Sequence, residues 1–172
     1  MLMKNKKAQF ESRLLAIVLI FVVGAILFFM NHFNQQIYSE FDSYFNESTD
    51  YNGSEAHQAA RTFEEIEESS IWDYAFLAFF IGFLIQIVLF SFATQFNIAF
   101  YWIMVIVDIP LLIVGVITSN IWQELVANPE FATTITRFPI ANAILGTYFP
   151  TVVVVIFFFS SIILFGKRPG AG

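Results

Sequence analysis

Four long stretches nearly free of charge, Leu14 to Asn31, Tyr74 to Ala93, Ile98 to Ser119 and Pro139 to Phe165, constrain this chain more than any motif in it. Each reaches or nearly reaches the length that crosses the hydrocarbon core of a bilayer. Hydrophobic residues are 58% of the sequence and charged residues 13%, against about a quarter charged in soluble domains. A water-soluble fold of this length cannot hide that much apolar surface. The sequence therefore predicts an all-α polytopic membrane protein with four transmembrane helices and an extramembrane helical hairpin between the first and second.

Charge distribution sets the orientation. Lys4, Lys6, Lys7 and Arg13 precede the first span against one acid, Glu11, and Lys167 and Arg168 follow the last. Under the positive-inside tendency both ends face the cytoplasm, where these cations contact anionic lipid headgroups. The segment 32–73 carries Glu40, Asp42, Glu47, Asp50, Glu55, Glu64, Glu65, Glu67, Glu68 and Asp73 against Arg61, and belongs outside. An even number of spans agrees with two basic ends in one compartment. The expected layout is a cytoplasmic N-terminus 1–13, spans 14–31, 74–93, 98–119 and 139–165, an inner turn 94–97, an external interfacial segment 120–138 and a cytoplasmic tail 166–172. The run from Leu14 to Asn31 exceeds the core of a cleaved signal, so span one is read as a retained anchor.

Helical periodicity continues past span one. Ile37, Phe41, Tyr44 and Phe45 recur at three- and four-residue spacing, a stripe that needs a partner. Ser54 suits the cap of a following helix with Ala56, Ala59, Ala60, Phe63 and Ile66 on one face and Glu64, Glu65, Glu67 and Glu68 largely on the other. Between them Asn52-Gly53 supplies turn chemistry. The expected hairpin presents Phe41, Tyr44, Phe45, Phe63, Glu64, Glu67 and Glu68 to a partner. Asn46-Glu47-Ser48 and Asn52-Gly53-Ser54 also match the glycosylation acceptor pattern.

In the spans, Gly24-Ala25 offers a small surface for close helix approach. The short link 94–97 predicts that spans two and three are antiparallel neighbours. Asp108 stands about 16 Å from either end of span three by helical rise. A carboxylate at that depth is costly unless paired, and Gln86 at similar depth in span two is its expected partner. Pro110 and Pro150 are the expected kinks of spans three and four. Asn128-Pro129-Glu130 reads as a short helix start, with Trp122 and Phe131 placed at headgroup depth.

The chain has no Cys, which excludes disulfides, thiolate metal sites and Cys nucleophiles. His57 with Glu55, Glu64 or Asp50 lacks a distinctive metal spacing. No zincin, nucleophile-elbow, Walker or dinucleotide motif is present, so no catalytic residue, cofactor or metal ligand is assigned, and nucleic acid is not an expected partner. Lys6-Lys7-Ala8-Gln9 before a hydrophobic run resembles the class III signal peptides of archaeal pilin-like proteins. Those proteins have one hydrophobic helix before an external domain, whereas three further apolar stretches follow here.

The function expected from these features is a non-enzymatic integral membrane subunit. It binds an external protein through the acidic hairpin and packs against lipids, other subunits or itself, in a cell membrane or a viral envelope. The alternative is an oligomeric channel or a proton- or cation-coupled transporter that uses Asp108.

Overall fold

The computed structural model describes residues 2–48, 51–68, 70–93 and 98–166, and among them helix is the regular structure. The long helix α1 (Leu2–Glu47) is followed by α2 (Glu55–Glu68), α3 (Ile71–Ala93) and α4 (Ile98–Val126). A 3-10 turn at Pro129–Phe131 leads into α5 (Ala132–Thr136), α6 (Pro139–Asn142), a π turn at Ala143–Thr147 and α7 (Phe149–Gly166). Among the described residues three helices are long and apolar enough to cross a membrane, and the bent pair Pro139–Thr147 and Phe149–Ile163 makes a fourth if counted as one span. The inner turn 94–97, the tail with Lys167 and Arg168, and the side chains of Lys4, Lys6, Lys7, Arg13, Phe63, Glu67 and Glu68 lie outside the described residues.

Helix α1 packs on α3 and α4, and α7 packs on the same two, so the order around the bundle is α1, α3, α7, α4. This corrects the expected pairing of spans two and three, because α3 and α4 occupy opposite corners. Apolar faces decide the arrangement more strongly than the shortness of the link. Val153 of α7 sits against Gly115 of α4, where an added Cβ would lie 3.2 Å from Val153 Cγ2. The small surface at Gly24 is likewise used within the chain: a Cβ there would lie 2.5 Å from Leu145 Cδ1 and 3.1 Å from Phe76 Cε2.

At the head of the bundle Phe28 is fully buried, with ring centroids 5.4 Å from Trp122, 5.4 Å from Phe131 and 5.6 Å from Phe138. Edge-to-face contacts of this kind add to the area each ring buries. Trp122 and Phe131 are therefore core residues, not headgroup anchors as the sequence suggested. Helix α4 continues to Val126, so the first residues of the expected interfacial segment belong to it. Asn128 does cap the next turn, its Oδ1 accepting the Glu130 N–H at 3.0 Å.

The fourth apolar stretch is broken. Its two parts meet at 75° about Tyr148, and the expected kink at Pro150 is instead a position in the first turn of α7. Proline is tolerated there because first-turn N–H groups have no intrahelical acceptor. The ring still leaves an acceptor behind, since the missing Pro150 N–H would have served the Gly146 carbonyl four residues back. Ser119 of α4 donates its hydroxyl to that carbonyl, while the π turn is closed by Tyr148 N–H to Ala143 O at 3.2 Å. Helix α4, by contrast, runs through Pro110 without interruption of its assignment.

Ser119→Ala should lower thermal stability in detergent by about 1–3 kcal/mol, the cost of one buried polar group left unmade. Pro150→Ala restores an N–H and should recover part of that loss in the double variant. The loss caused by Ser119→Ala should be smaller in the Pro150→Ala background than in the wild type; strict additivity, read by calorimetry, would exclude the link.

Candidate functional site

Polar side chains gather at the head of the bundle in two groups, both anchored on α1. The first lies where α1 leaves the aromatic cluster. Thr134 of α5 donates its hydroxyl to Gln35 Oε1 at 3.4 Å, so its oxygen accepts from His32 Nδ1 at 3.0 Å. His32 Nε2 then accepts from Gln36 Nε2 at 3.1 Å, which defines the neutral tautomer with the proton on Nδ1. Gln35 Nε2 completes the chain by donating to Asn31 Oδ1. Asn31, His32 and Thr134 are all buried, and the His32 ring meets Phe131 edge-on at 4.7 Å.

A hydroxyl beside an imidazole, with Glu130 3.8 Å from the other ring nitrogen, has the composition of an acyl-transfer centre. Burial rules out that use: Thr134 is 1% exposed and already gives its proton to Gln35. The network is a tie that fixes α1 to the α4–α6 connection. No group of three or more His, Asp or Glu side chains among the described residues is arranged to hold a metal.

The second group locks α2 onto α1. Gly53 takes φ 77°, which its missing Cβ permits, and Ser54 Oγ accepts the His57 N–H at 3.2 Å as the cap of α2. The Gly53 N–H donates to His57 Nδ1 at 3.2 Å, so the ring proton sits on Nε2 and is donated to Asp42 Oδ1 at 3.0 Å. Arg61 Nε adds a contact to the same oxygen at 3.4 Å, and Asn46 Nδ2 reaches Oδ2 at 2.7 Å. Phe45 stacks on the His57 ring with centroids 5.4 Å apart.

The helical hairpin is thus present, but its packing face differs from the expected one. His57, Ala60 and Glu64 face inward on α2, whereas Ala56 and Ala59 are exposed. The aromatic ring and its carboxylate partner outweigh two methyl groups. Of the expected α1 stripe, Phe45 alone turns toward α2; Ile37, Phe41 and Tyr44 remain 50, 52 and 63% exposed. Glu64 is half-buried and lines a cleft of about 190 Å³ with Gln35, Tyr38, Ser39 and Arg137.

Gln86 and Asp108 are not brought together. Gln86 is exposed on α3 and Asp108 half-buried on α4, helices that do not form a packed pair. Counted inward from the shared level of Phe28 and Trp122, Asp108 lies about 21 Å down α4. That is level with Leu14 of α1.

Sequence reasoning missed Asp73, His32 and Thr134. Asp73, counted as one more loop acid, is fully buried and accepts the N–H groups of Ile140 at 2.8 Å and Ala141 at 2.7 Å. A carboxylate in the first turn of one apolar helix was the available signal. Comparison with protein-family models, curated proteins and solved structures returns no match to this chain.

Asp42 stands beyond the apolar part of α1, and its carboxyl is held below the ordinary range, chiefly by the His57 hydrogen bond and further by Arg61. A depressed carboxyl contributes stability that is present above its unfolded value and is lost as pH falls through the folded one. Spin labels on exposed Ser43 and Ala59 should report one narrow distance from neutral pH down to the ordinary carboxylate range, broadening below it. In Asp42→Asn the broadening should be present at neutral pH. A wild-type distribution indifferent to strong acid would refute this role.

Proposed function

We propose that the protein is a non-enzymatic integral membrane subunit that docks an external protein partner along the outward part of α1. Four spans, both tails cytoplasmic and the α1–α2 hairpin outside, form the membrane frame of this reading. Its support is the length of α1: from Leu14 to Glu47 the helix has 34 residues, about 51 Å against a hydrocarbon core of about 30 Å. The helix must leave the bilayer.

The observation that carries the proposal is the exposed stripe. From Leu15 through Leu19, Val22, Ile26 and Met30 it faces outward at helical spacing, and it continues through Phe33, Ile37, Phe41 and Tyr44 without a change in character. Lipid covers the first half. Beyond Asn31 water would cover the second, where burying each half-exposed side chain is worth roughly 1 kcal/mol. Large exposed apolar surface rimmed by polar groups marks an interaction site. Glu40 and Glu47 border this one at helical spacing, which favours a partner with an apolar ridge flanked by basic residues.

The ion-pathway alternative draws on Asp108. Its level beside Leu14 supports a position near the cytoplasmic edge, where an acid is solvated at lower cost.

A photo-reactive side chain placed at Ile37 in native membranes should cross-link to one distinct polypeptide, and Ile37→Glu with Phe41→Glu should abolish that product while helix content stays unchanged. Cross-linking to lipid alone, with the double variant assembling normally, would overturn the proposal.

A further inference from the structure

The cleft between α1, α2 and the link joining α5 to α6 shares Gln35 with the buried tie and has no residue of the exposed stripe in its lining. Three separate segments build it: Gln35, Tyr38 and Ser39 from α1, Glu64 from α2 and Arg137 from the link. Its volume is about 190 Å³, several times the roughly 30 Å³ share of one water in the liquid. We infer that this cleft binds a zwitterionic phosphoethanolamine head, the phosphate against Arg137 and the ammonium against Glu64. The inference rests on the membrane placement proposed above.

Charge selects the class of ligand. A simple anion attracted by Arg137 would meet the Glu64 carboxylate on another wall of the same cleft, and a simple cation drawn by Glu64 would meet the guanidinium. A molecule carrying both charges on a short linker satisfies both. Arginine presents a planar fork with five N–H donors, so Arg137 can take phosphate oxygens beside its contacts within the chain. The Tyr38 phenol and the Ser39 hydroxyl add polar groups to the wall, and Ser39 Oγ, which donates to Gln36 O at 3.3 Å, keeps its lone pairs for an ammonium.

The floor is fixed in advance. Gln35 is held on both sides of its amide, by Thr134 and by Asn31, so binding there does not require the wall to be ordered first. Depth then names the source. Gln35 is four residues past Asn31, about 6 Å along α1, and Arg137 precedes the return of the chain at Pro139. The headgroup layer adds some 5–8 Å to each side of the hydrocarbon core. Phospholipid heads therefore occupy the same level as the cleft, with exposed apolar helix below for their chains.

The test uses the full chain in detergent, titrated with dihexanoyl phosphatidylethanolamine, dihexanoyl phosphatidylglycerol and chain-free phosphoethanolamine, with adducts counted by native mass spectrometry. The ethanolamine lipid should bind about ten-fold more tightly than the glycerol lipid, the effect of one charge-assisted contact. Arg137→Gln should weaken both lipids by about ten-fold. Arg137→Lys, which keeps the charge and loses the fork, should fall between, and serves if the glutamine variant does not fold. Glu64→Gln should erase the preference while sparing the glycerol lipid. Equal binding of the two lipids by the wild type, or a preference that survives Glu64→Gln, overturns the site. Chain-free phosphoethanolamine binding as tightly as the lipid overturns the bilayer as its source. Failure of the membrane placement is read separately, as recovery of the chain in water without detergent.

Discussion

One carboxylate fixes the start of the fourth apolar stretch against the rest of the bundle. Asp73 accepts two successive N–H groups, those of Ile140 and Ala141, at 2.8 and 2.7 Å. These are the second and third positions of α6, the donors that a capping side chain normally serves. Phe138 occupies the cap position and offers no acceptor, so the cap comes from another helix. Asp73 also stands in the first turn of α3, where a negative charge suits the positive end of that helix as well. In lipid an unserved backbone group costs several kcal/mol, and irregular backbone survives there only when protein covers it. Asp73 serves the start of the stretch, and Ser119 serves the carbonyl left at its break by Pro150.

The remainder of the head follows from that closure. With α6 pinned to α3, Phe138 is held where it meets Phe28. Phe28 in turn gathers Trp122 from α4 and Phe131 from the 3-10 turn. His32 and Thr134 then join α1 to α5 one turn further out. Helix α1 is thereby a fixed post, not a loose extension, where it departs from the bundle. The hairpin built on it, with its acidic rim and exposed stripe, is held in a defined position relative to the spans.

Much of this was legible because membrane solvation and local turn chemistry leave direct marks. Span lengths gave the all-α class; Asn52-Gly53 and Ser54 gave the hairpin; Asn128-Pro129 gave the turn after α4. What escaped was long-range. Asp73 reads as one acid among many until the N-terminus of α6 lies beside it. Pro150 signals a kink in sequence, but a proline fits equally well in the first turn of a new helix, and only the Ser119 hydroxyl on the Gly146 carbonyl shows which holds. Trp122 looks like an interfacial anchor because its burial depends on Phe28, far away in sequence. The diagonal placement of α3 and α4 depends likewise on Gly115 receiving Val153. Among the described residues the buried Ser160 hydroxyl has no hydrogen-bond partner.

Amide hydrogen exchange at Ile140 and Ala141, followed by NMR on the chain in lipid nanodiscs, tests the role of Asp73 most directly. Both amides should be strongly protected in the wild type, and both should lose protection selectively in Asp73→Ala while the amides of α4 keep theirs. Rapid exchange at these two positions in the wild type, or protection that survives the loss of the carboxylate, would contradict the account.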